Sequence, residues 1–421
     1  MKKNLSGLSK TLLLNRAMEY ALYFLAAGIF ISNALTSIGV GAALLIWVSK
    51  KIALGEKSSA PRPLFVLAGV LFLAYAASLI NSEYLGQSLH ALFLKYGKYL
   101  LLMLAVADGV KEKRVAINMA LVLCLTATFI CLDGFYQFFS GRDFLLFREA
   151  GRLDVYAGAQ EFHSFRVTAT FPAANTFASC LVPVLMLGLV LSFFYGAKTR
   201  KNTLVKGACV GSMVLCLLLT FSRGGLVACL GGVLMLTLLL RKKVLWIIPI
   251  VFLVIFLFGK NLYGNRATQD GAVDPTMETR LLMLKDATRM FRSHPWTGIG
   301  LNTYYKTHEK DHSLAIPPSY AHNAYIQMIA EVGVVGFMAF MTLMIYWFGW
   351  GMRSLRKLCD PELKFLLGGV LAGVFGLCVA SFFDNVLFEL LPATLFWILM
   401  GYGIALTSIG SKNSLHENHR S

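Results

Sequence analysis

Charge is scarce in this sequence, and where it occurs it is confined. Only 14% of the residues are Asp, Glu, Lys or Arg, against 57% hydrophobic. That excludes an ordinary soluble domain, in which about a quarter of residues are charged. Cysteine adds no covalent framework. All eight except Cys359 fall in apolar runs, and none lies in the two long polar segments 139–171 and 260–321. Their spacing gives neither a disulfide pattern nor a metal motif, so they read as small buried hydrophobes. Lys and Arg are missing from the short turns near 81–87 and 384. The leading segment MKKNLSGLSK runs into an apolar stretch with no small-residue cleavage site, so no cleaved signal is expected. A net charge of +17 would suit nucleic acid, but the positive charge is spread over many loops and not gathered on one face. Nucleic acid is therefore excluded as a partner.

What the sequence does hold is a succession of apolar runs of membrane-spanning length. Twelve spans are expected, at roughly 18–32, 34–49, 64–80, 88–107, 115–138, 172–195, 204–220, 224–240, 244–259, 322–350, 365–383 and 386–407. With the amino terminus inside, every inside segment is basic, from Lys2 and Lys3 through Lys50 and Lys51 to Arg353, Arg356 and Lys357. The expected fold is thus an all-α polytopic integral membrane protein. It divides into 1–259 (spans one to nine, with an outside loop at 139–171), an outside helical subdomain at 260–321, spans ten to twelve at 322–407, and an inside tail at 408–421.

Ionisable groups at the outer edge of such a bundle are candidates for function. Arg223 sits between two runs in TFSRGG, against the positive-inside bias, and Gly224 and Gly225 permit close backbone approach. The alternative is a snorkelling interfacial arginine. The segment DPTMETRLLMLKDATRMFRSHP reads as a helix outside the membrane, capped by Asp274 with Pro275 at its first position. Met277, Leu281, Leu284 and Phe291 form its apolar stripe, widened by Met283, Ala287 and Met290. Arg280 lies inside that arc. It needs either an internal carboxylate or an anionic ligand.

His322 opens the tenth span, on a face with Ile326, Ile329, Gly333 and Gly336. The two glycines would let a neighbouring helix pack beneath it; the alternative is a capping or packing histidine. Glu331 is a buried carboxylate in the same span with no partner the sequence identifies. Lys95 and Lys98 together point to a polar cavity near the outer half of span four, and Arg166 directly precedes span six. His308 and His312 frame an HExxH pattern, but its flanks are polar, Pro317 and Pro318 end it, and no third ligand follows. It is read as a polar loop segment.

Together these motifs resemble the O-antigen ligase and polymerase superfamily, the WaaL/Wzy-type membrane proteins. LLLTFSRGGLVA looks like the family's Ser-Arg-Gly segment. TRLLMLKDATRMFRSHPWTGIGLNTY looks like its arginine helix followed by hPxxGxG. AHNAYIQMIAEVGVVG is similar to the ligase His-Asn followed nine residues later by GxxG. RVTATFPAANTFASCL resembles the segment that usually reads RxxGTFxNPN. It departs at Thr168-Ala169-Thr170 and Pro172-Ala173-Ala174-Asn175, so no substrate contact is carried onto Asn175.

The resemblance implies a donor glycan on undecaprenyl pyrophosphate, a lipid A–core acceptor, and an active site on the periplasmic face of a bacterial inner membrane. It implies no metal or other cofactor, and partners limited to these substrates and the membrane lipids. His322, Arg223 and Arg280 would be catalytic, with substrate contacts at Arg166, Lys98, Ser222, Asn323, Asn302 and Tyr325. The neighbouring readings are a Wzy-type polymerase, a protein O-oligosaccharyltransferase and, as a non-enzyme, a lipid-linked glycan transporter. A transporter would carry broken helices and polar groups near the bilayer midplane.

Overall fold

The structure is a computed structural model that describes residues 2–149, 151–157, 160–193, 200–241, 275–311 and 320–418. The chain opens with α1 (Lys2–Ile31) and α2 (Asn33–Leu54), antiparallel and separated by Ser32 alone. The Ser32 hydroxyl accepts the Leu35 N–H at 3.2 Å and caps α2. Gly28 and Gly39 lie in the seam, where an added Cβ would meet Leu35 backbone or the Leu25 Cα at about 3 Å. Next come α3 (Arg62–Ala77), α4 (Leu85–Ala91), α5 (Lys98–Gly109) and α6 (Lys113–Ser140). A wide-turn segment, Leu92–Gly97, joins α4 to α5, so the fourth span is one element with a bulge in it.

After α6 the chain forms an antiparallel hairpin of β1 (Gly151–Ala157) and β2 (Gln160–Arg166), with Gly151 opposite Arg166. The all-helical expectation did not include it. Three helices follow: α7 (Ala174–Phe193), α8 (Arg200–Leu219) and α9 (Arg223–Leu240). Beyond them lie α10 (Pro275–Ser293), α11 (Tyr304–Asp311), α12 (Ala324–Lys357), α13 (Pro361–Ala380) and α14 (Leu390–Asn418). The last helix continues without a break past 407, where a separate tail was expected.

Among the described residues, nine helices are long and apolar enough to cross a membrane. The helix α1 covers the first expected span, and Leu204–Leu219 is a shorter apolar stretch covering the seventh. The ninth expected span, 244–259, and the proposed cap Asp274 lie outside the described residues. The protein is polytopic. Its outward-facing side chains include Leu45, Leu73 and Ile345, all more than half exposed, as a lipid-facing surface requires. The core runs through α5, α7, α13 and α14, where Met103, Leu185, Leu371 and Phe396 are buried.

One end of the bundle carries the basic loops, and several of their charges are paired. Lys51 meets Asp108 at 2.8 Å, Lys111 meets Glu56 at 2.6 Å, and Lys113 meets Asp360 at 2.7 Å. Trp47 Nε1 also donates to Asp108, at 2.9 Å. The opposite end carries His322.

The helix α12 is not continuous. Gly333 sits at φ 63° and ψ −171°, and the helix breaks there. The break frees four backbone groups, and the segment 295–300 takes all four. Ile299 and Gly300 N–H donate to the Ala330 and Glu331 carbonyls at 3.1 and 3.0 Å. Val334 and Val335 N–H donate to the Pro295 and Trp296 carbonyls at 2.9 and 3.1 Å. Gly298 and Gly300 have φ of 74° and 114°. A Cβ on Gly298 would meet the Glu331 carbonyl, and one on Gly333 the Trp296 carbonyl, each at 2.3 Å. The hPxxGxG and GxxG motifs are therefore two halves of one backbone joint. This corrects the expectation that Gly333 admits a neighbouring helix: only glycine takes that φ with a carbonyl so close.

Candidate active site

The His322 end is built from four turns. The first is 166–173, which leads into α7. Gln137 of α6 fixes it by accepting the Thr168 and Ala169 N–H at 2.8 Å each. Val167 N–H reaches the Leu219 carbonyl at 3.1 Å. The second is 220–222, where Phe221 is left-handed (φ 50°) and the buried Ser222 hydroxyl caps α9 by accepting the Gly225 N–H at 3.2 Å. The third is 381–389, between α13 and α14, longer than the two-residue turn expected there. The fourth is 320–323, where Asn323 caps α12 by accepting the Tyr325 and Ile326 N–H at 3.0 and 3.1 Å.

His322 precedes that cap with φ 49°. A non-glycine residue in this region is held there by its surroundings. Ala324 N–H donates to the Ser381 carbonyl at 2.8 Å, tying the start of α12 to the end of α13. His322 Nδ1 then lies 3.2 Å from Asp384 Oδ1. This is a hydrogen bond when Nδ1 carries the proton, and in that tautomer Nε2 is the basic nitrogen. Asp384 Oδ2 accepts Asn175 Nδ2 at 2.9 Å, Asn175 Oδ1 accepts Arg166 Nη2 at 3.0 Å, and Arg166 Nε donates to the Thr220 carbonyl at 3.1 Å. A continuous polar chain thus runs from Arg166 through Asn175 and Asp384 to His322. Burial alone would raise the Asp384 carboxyl. The hydrogen bonds from His322, the Asn385 N–H and Asn175 outweigh it and hold the group below the ordinary carboxylate range.

Beside this chain stands a second carboxylate, Glu389, whose Oε2 accepts the Thr176 hydroxyl at 2.6 Å. Burial, reinforced by the nearby Asp384 charge, pushes its carboxyl up to about 7. Two acids in one turn thus have their titrations driven apart, a pattern found where proton positions matter.

The two arginines expected to be catalytic lie on α9 and α10. Arg223 begins α9 and is exposed, with no polar partner among the described residues. A Cβ on Gly224 would lie 2.7 Å from Phe383 Cβ, and one on Gly225 2.7 Å from Ala178 Cβ. The glycines therefore seat the Arg223 turn against the Asp384 turn and α7. Arg280 is half-buried on α10, also without an acidic partner among the described residues. The buried face of α10 carries Met283, Ala287 and Met290, while Leu281 is half exposed. The expected stripe is thus rotated towards Arg280, because α10 packs on Tyr304, Ile299 and Ala330. The polar chain that reaches His322 starts from Arg166 and passes through Asn175 and Asp384; Arg223 and Arg280 are not members of it.

The remaining expected site residues have internal partners. Lys98 is half-buried with its ammonium 5.1 Å from the Tyr99 ring centre. Asn302, at φ 60°, accepts Lys95 Nζ at 2.8 Å and donates its N–H to Glu331 at 2.7 Å. Tyr325 donates to the Cys378 carbonyl at 2.8 Å. Glu331, which the sequence leaves unpartnered, accepts Gln327 Nε2 at 3.0 Å as well as the Asn302 and Tyr304 N–H, and so locks the 298–304 segment. The HEKDH segment is also reassigned. Its first part lies on α11 and not in a loop, and His308 is fully buried with Nδ1 2.8 Å from Asp286 Oδ2. His312 lies outside the described residues. Sequence reasoning missed Asn175, Asp384, Asn385 and Glu389. The available signal was two acids in a turn between apolar runs that holds no Lys or Arg.

Residues 208–341 match the family model described as O-antigen ligase. Over that stretch, about a third of its length, the chain is similar to the O-antigen ligase family. The matched stretch holds Arg223, Arg280 and His322, and it leaves out Arg166, Asn175 and the 381–389 turn. No curated protein matches the chain. A solved chain from work described as "Structural coordination of polymerization and crosslinking by a peptidoglycan synthase complex" is similar at 15% identity, with a TM-score of 0.48. The similarity covers 82% of this chain and 96% of that one.

Proposed function

We propose that this protein is an O-antigen ligase. It transfers a glycan from undecaprenyl pyrophosphate to a hydroxyl of lipid A–core, at the periplasmic face of the bacterial inner membrane. The observation that carries this reading is His322, held left-handed at the bundle's end and bonded through Nδ1 to Asp384. In the reaction, the acceptor oxygen attacks the first sugar carbon of the donor and Nε2 takes its proton. The bond from that carbon to the pyrophosphate oxygen breaks with inversion, and the pyrophosphate leaves with the electron pair. Arg223 and Arg280, the cations with no carboxylate partner among the described residues, receive the developing charge. Arg166 and Asn175 position Asp384 and are not themselves catalytic. Pyrophosphate is a good leaving group, so the step needs no strong acid and no metal.

The test is transfer in vitro from a lipid-pyrophosphate glycan to purified rough lipopolysaccharide, with and without EDTA. A positioned base is worth roughly 10²–10⁴-fold in rate, so His322→Ala should lose at least about 10²-fold. Near-normal transfer by that variant removes His322 from the mechanism, and loss of wild-type transfer in EDTA removes the metal-free step.

A further inference from the structure

Beside the Asp384–His322 pair is a cavity of about 350 Å³, within the usual range of small-ligand pockets. It is walled by the entrance to α7 on one side and the 385–391 segment on the other. Asn385 lines it and is only 1% exposed, yet neither its Nδ2 nor its Oδ1 has a hydrogen-bond partner. A desolvated amide left with both ends open calls for a ligand that supplies a donor and an acceptor together. Glu389 lines the same cavity, oriented by Thr176, and Phe388 and Tyr320 add aromatic surface.

The chemistry of these walls selects among occupants. The lining holds an acid, Glu389, and no Lys or Arg, so a phosphate suits the arginines instead. A lipid tail would leave Asn385 and Glu389 unpaired. A polyhydroxylated ring fits all of them, since adjacent hydroxyls both donate to Glu389 and pair with the amide, while its C–H face packs on the aromatic rings. Asn385 directly follows Asp384, and Thr176 directly follows Asn175. The cavity is therefore built from the chain neighbours of the His322 relay, where a reacting sugar has to lie.

Resting on the ligase reading, we infer that this cavity is a subsite for one sugar ring, recognised by the Asn385 amide and the Glu389 carboxylate. The ring comes from the acceptor core or from the first sugar of the donor. The test compares wild type with Asn385→Ala, the isosteric Asn385→Asp, and Glu389→Gln, each confirmed monodisperse in detergent. The Michaelis constant is measured separately for rough lipopolysaccharide and for the lipid-linked donor. Saturation-transfer NMR then probes binding of the lipid-free core oligosaccharide and of the lipid-free donor glycan. A rise of about tenfold in one Michaelis constant, with kcat less affected, and loss of saturation transfer from the matching oligosaccharide support the subsite and identify the source. Unchanged constants and unchanged saturation transfer in folded variants overturn it. If the wild type transfers no glycan, the ligase reading fails, and the binding measurements still decide the subsite.

Discussion

On the ligase reading, single side chains at the His322 end divide into those that act and those that hold. Asp384 holds His322, so the two should behave as a unit. Asp384→Asn is expected to lower kcat at least about tenfold while the Michaelis constants change little. The double variant with His322→Ala should be no slower than His322→Ala alone. Additive losses would mean that Asp384 acts elsewhere. Glu389 gives a separate handle on stability. Its folded carboxyl, near 7, stands above its ordinary 4.5, so folding keeps a proton that the unfolded chain releases. Stability through this group is therefore highest below about 4.5 and falls as pH rises to about 7. Glu389→Gln should remove that fall. Tm measured from pH 5 to 8 should decline less steeply for the variant, with the facing Asp384 and His322 unchanged in both proteins. Residue by residue, the sequence made the cations and His322 legible, because a charge between apolar runs stands out. It did not make Asp384 legible, because that turn was read for Lys and Arg alone. Nor did it give the partners of Glu331, which lie 27 and 29 residues upstream on a loop that only folding brings near.

At the scale of elements, the joint between 295–300 and α12 carries the clearest forecast. Gly333→Ala forces a side chain into a left-handed backbone 2.3 Å from the Trp296 carbonyl, and should lower Tm by several degrees and reduce expression. Gly41→Ala is the matched control. Nothing lies within 4 Å of a Cβ there, it sits inside α2, and alanine should be neutral or stabilising by roughly 0.5–1 kcal/mol. Equal losses from both substitutions would sink the assignment of the break. The spans themselves were legible because a twenty-residue apolar run has few alternatives. The break was not, since a glycine shows where φ is free but not which value it takes. The α10 stripe was legible as a stripe but misplaced in rotation, because Tyr304 and Ala330 choose which side is buried.

For the whole molecule, the ligase reading makes a prediction in cells. A strain lacking this chain should accumulate long lipid-linked polymer and bare lipid A–core. Core bearing single repeats would instead mark a polymerase, and donor trapped on the inner face a flippase. The polytopic plan, with basic loops gathered at one end, was legible from composition, because lipid tolerates few arrangements of charge. The broken helix has a consequence for how such a chain is made. A span beginning at Ala324 enters the bilayer with four backbone groups that its own helix cannot satisfy, each costing several kcal/mol in hydrocarbon. Their partners lie upstream, on the 295–300 segment that is synthesised first. Biogenesis of this span is thus complete only when a segment made before it folds against it and locks it.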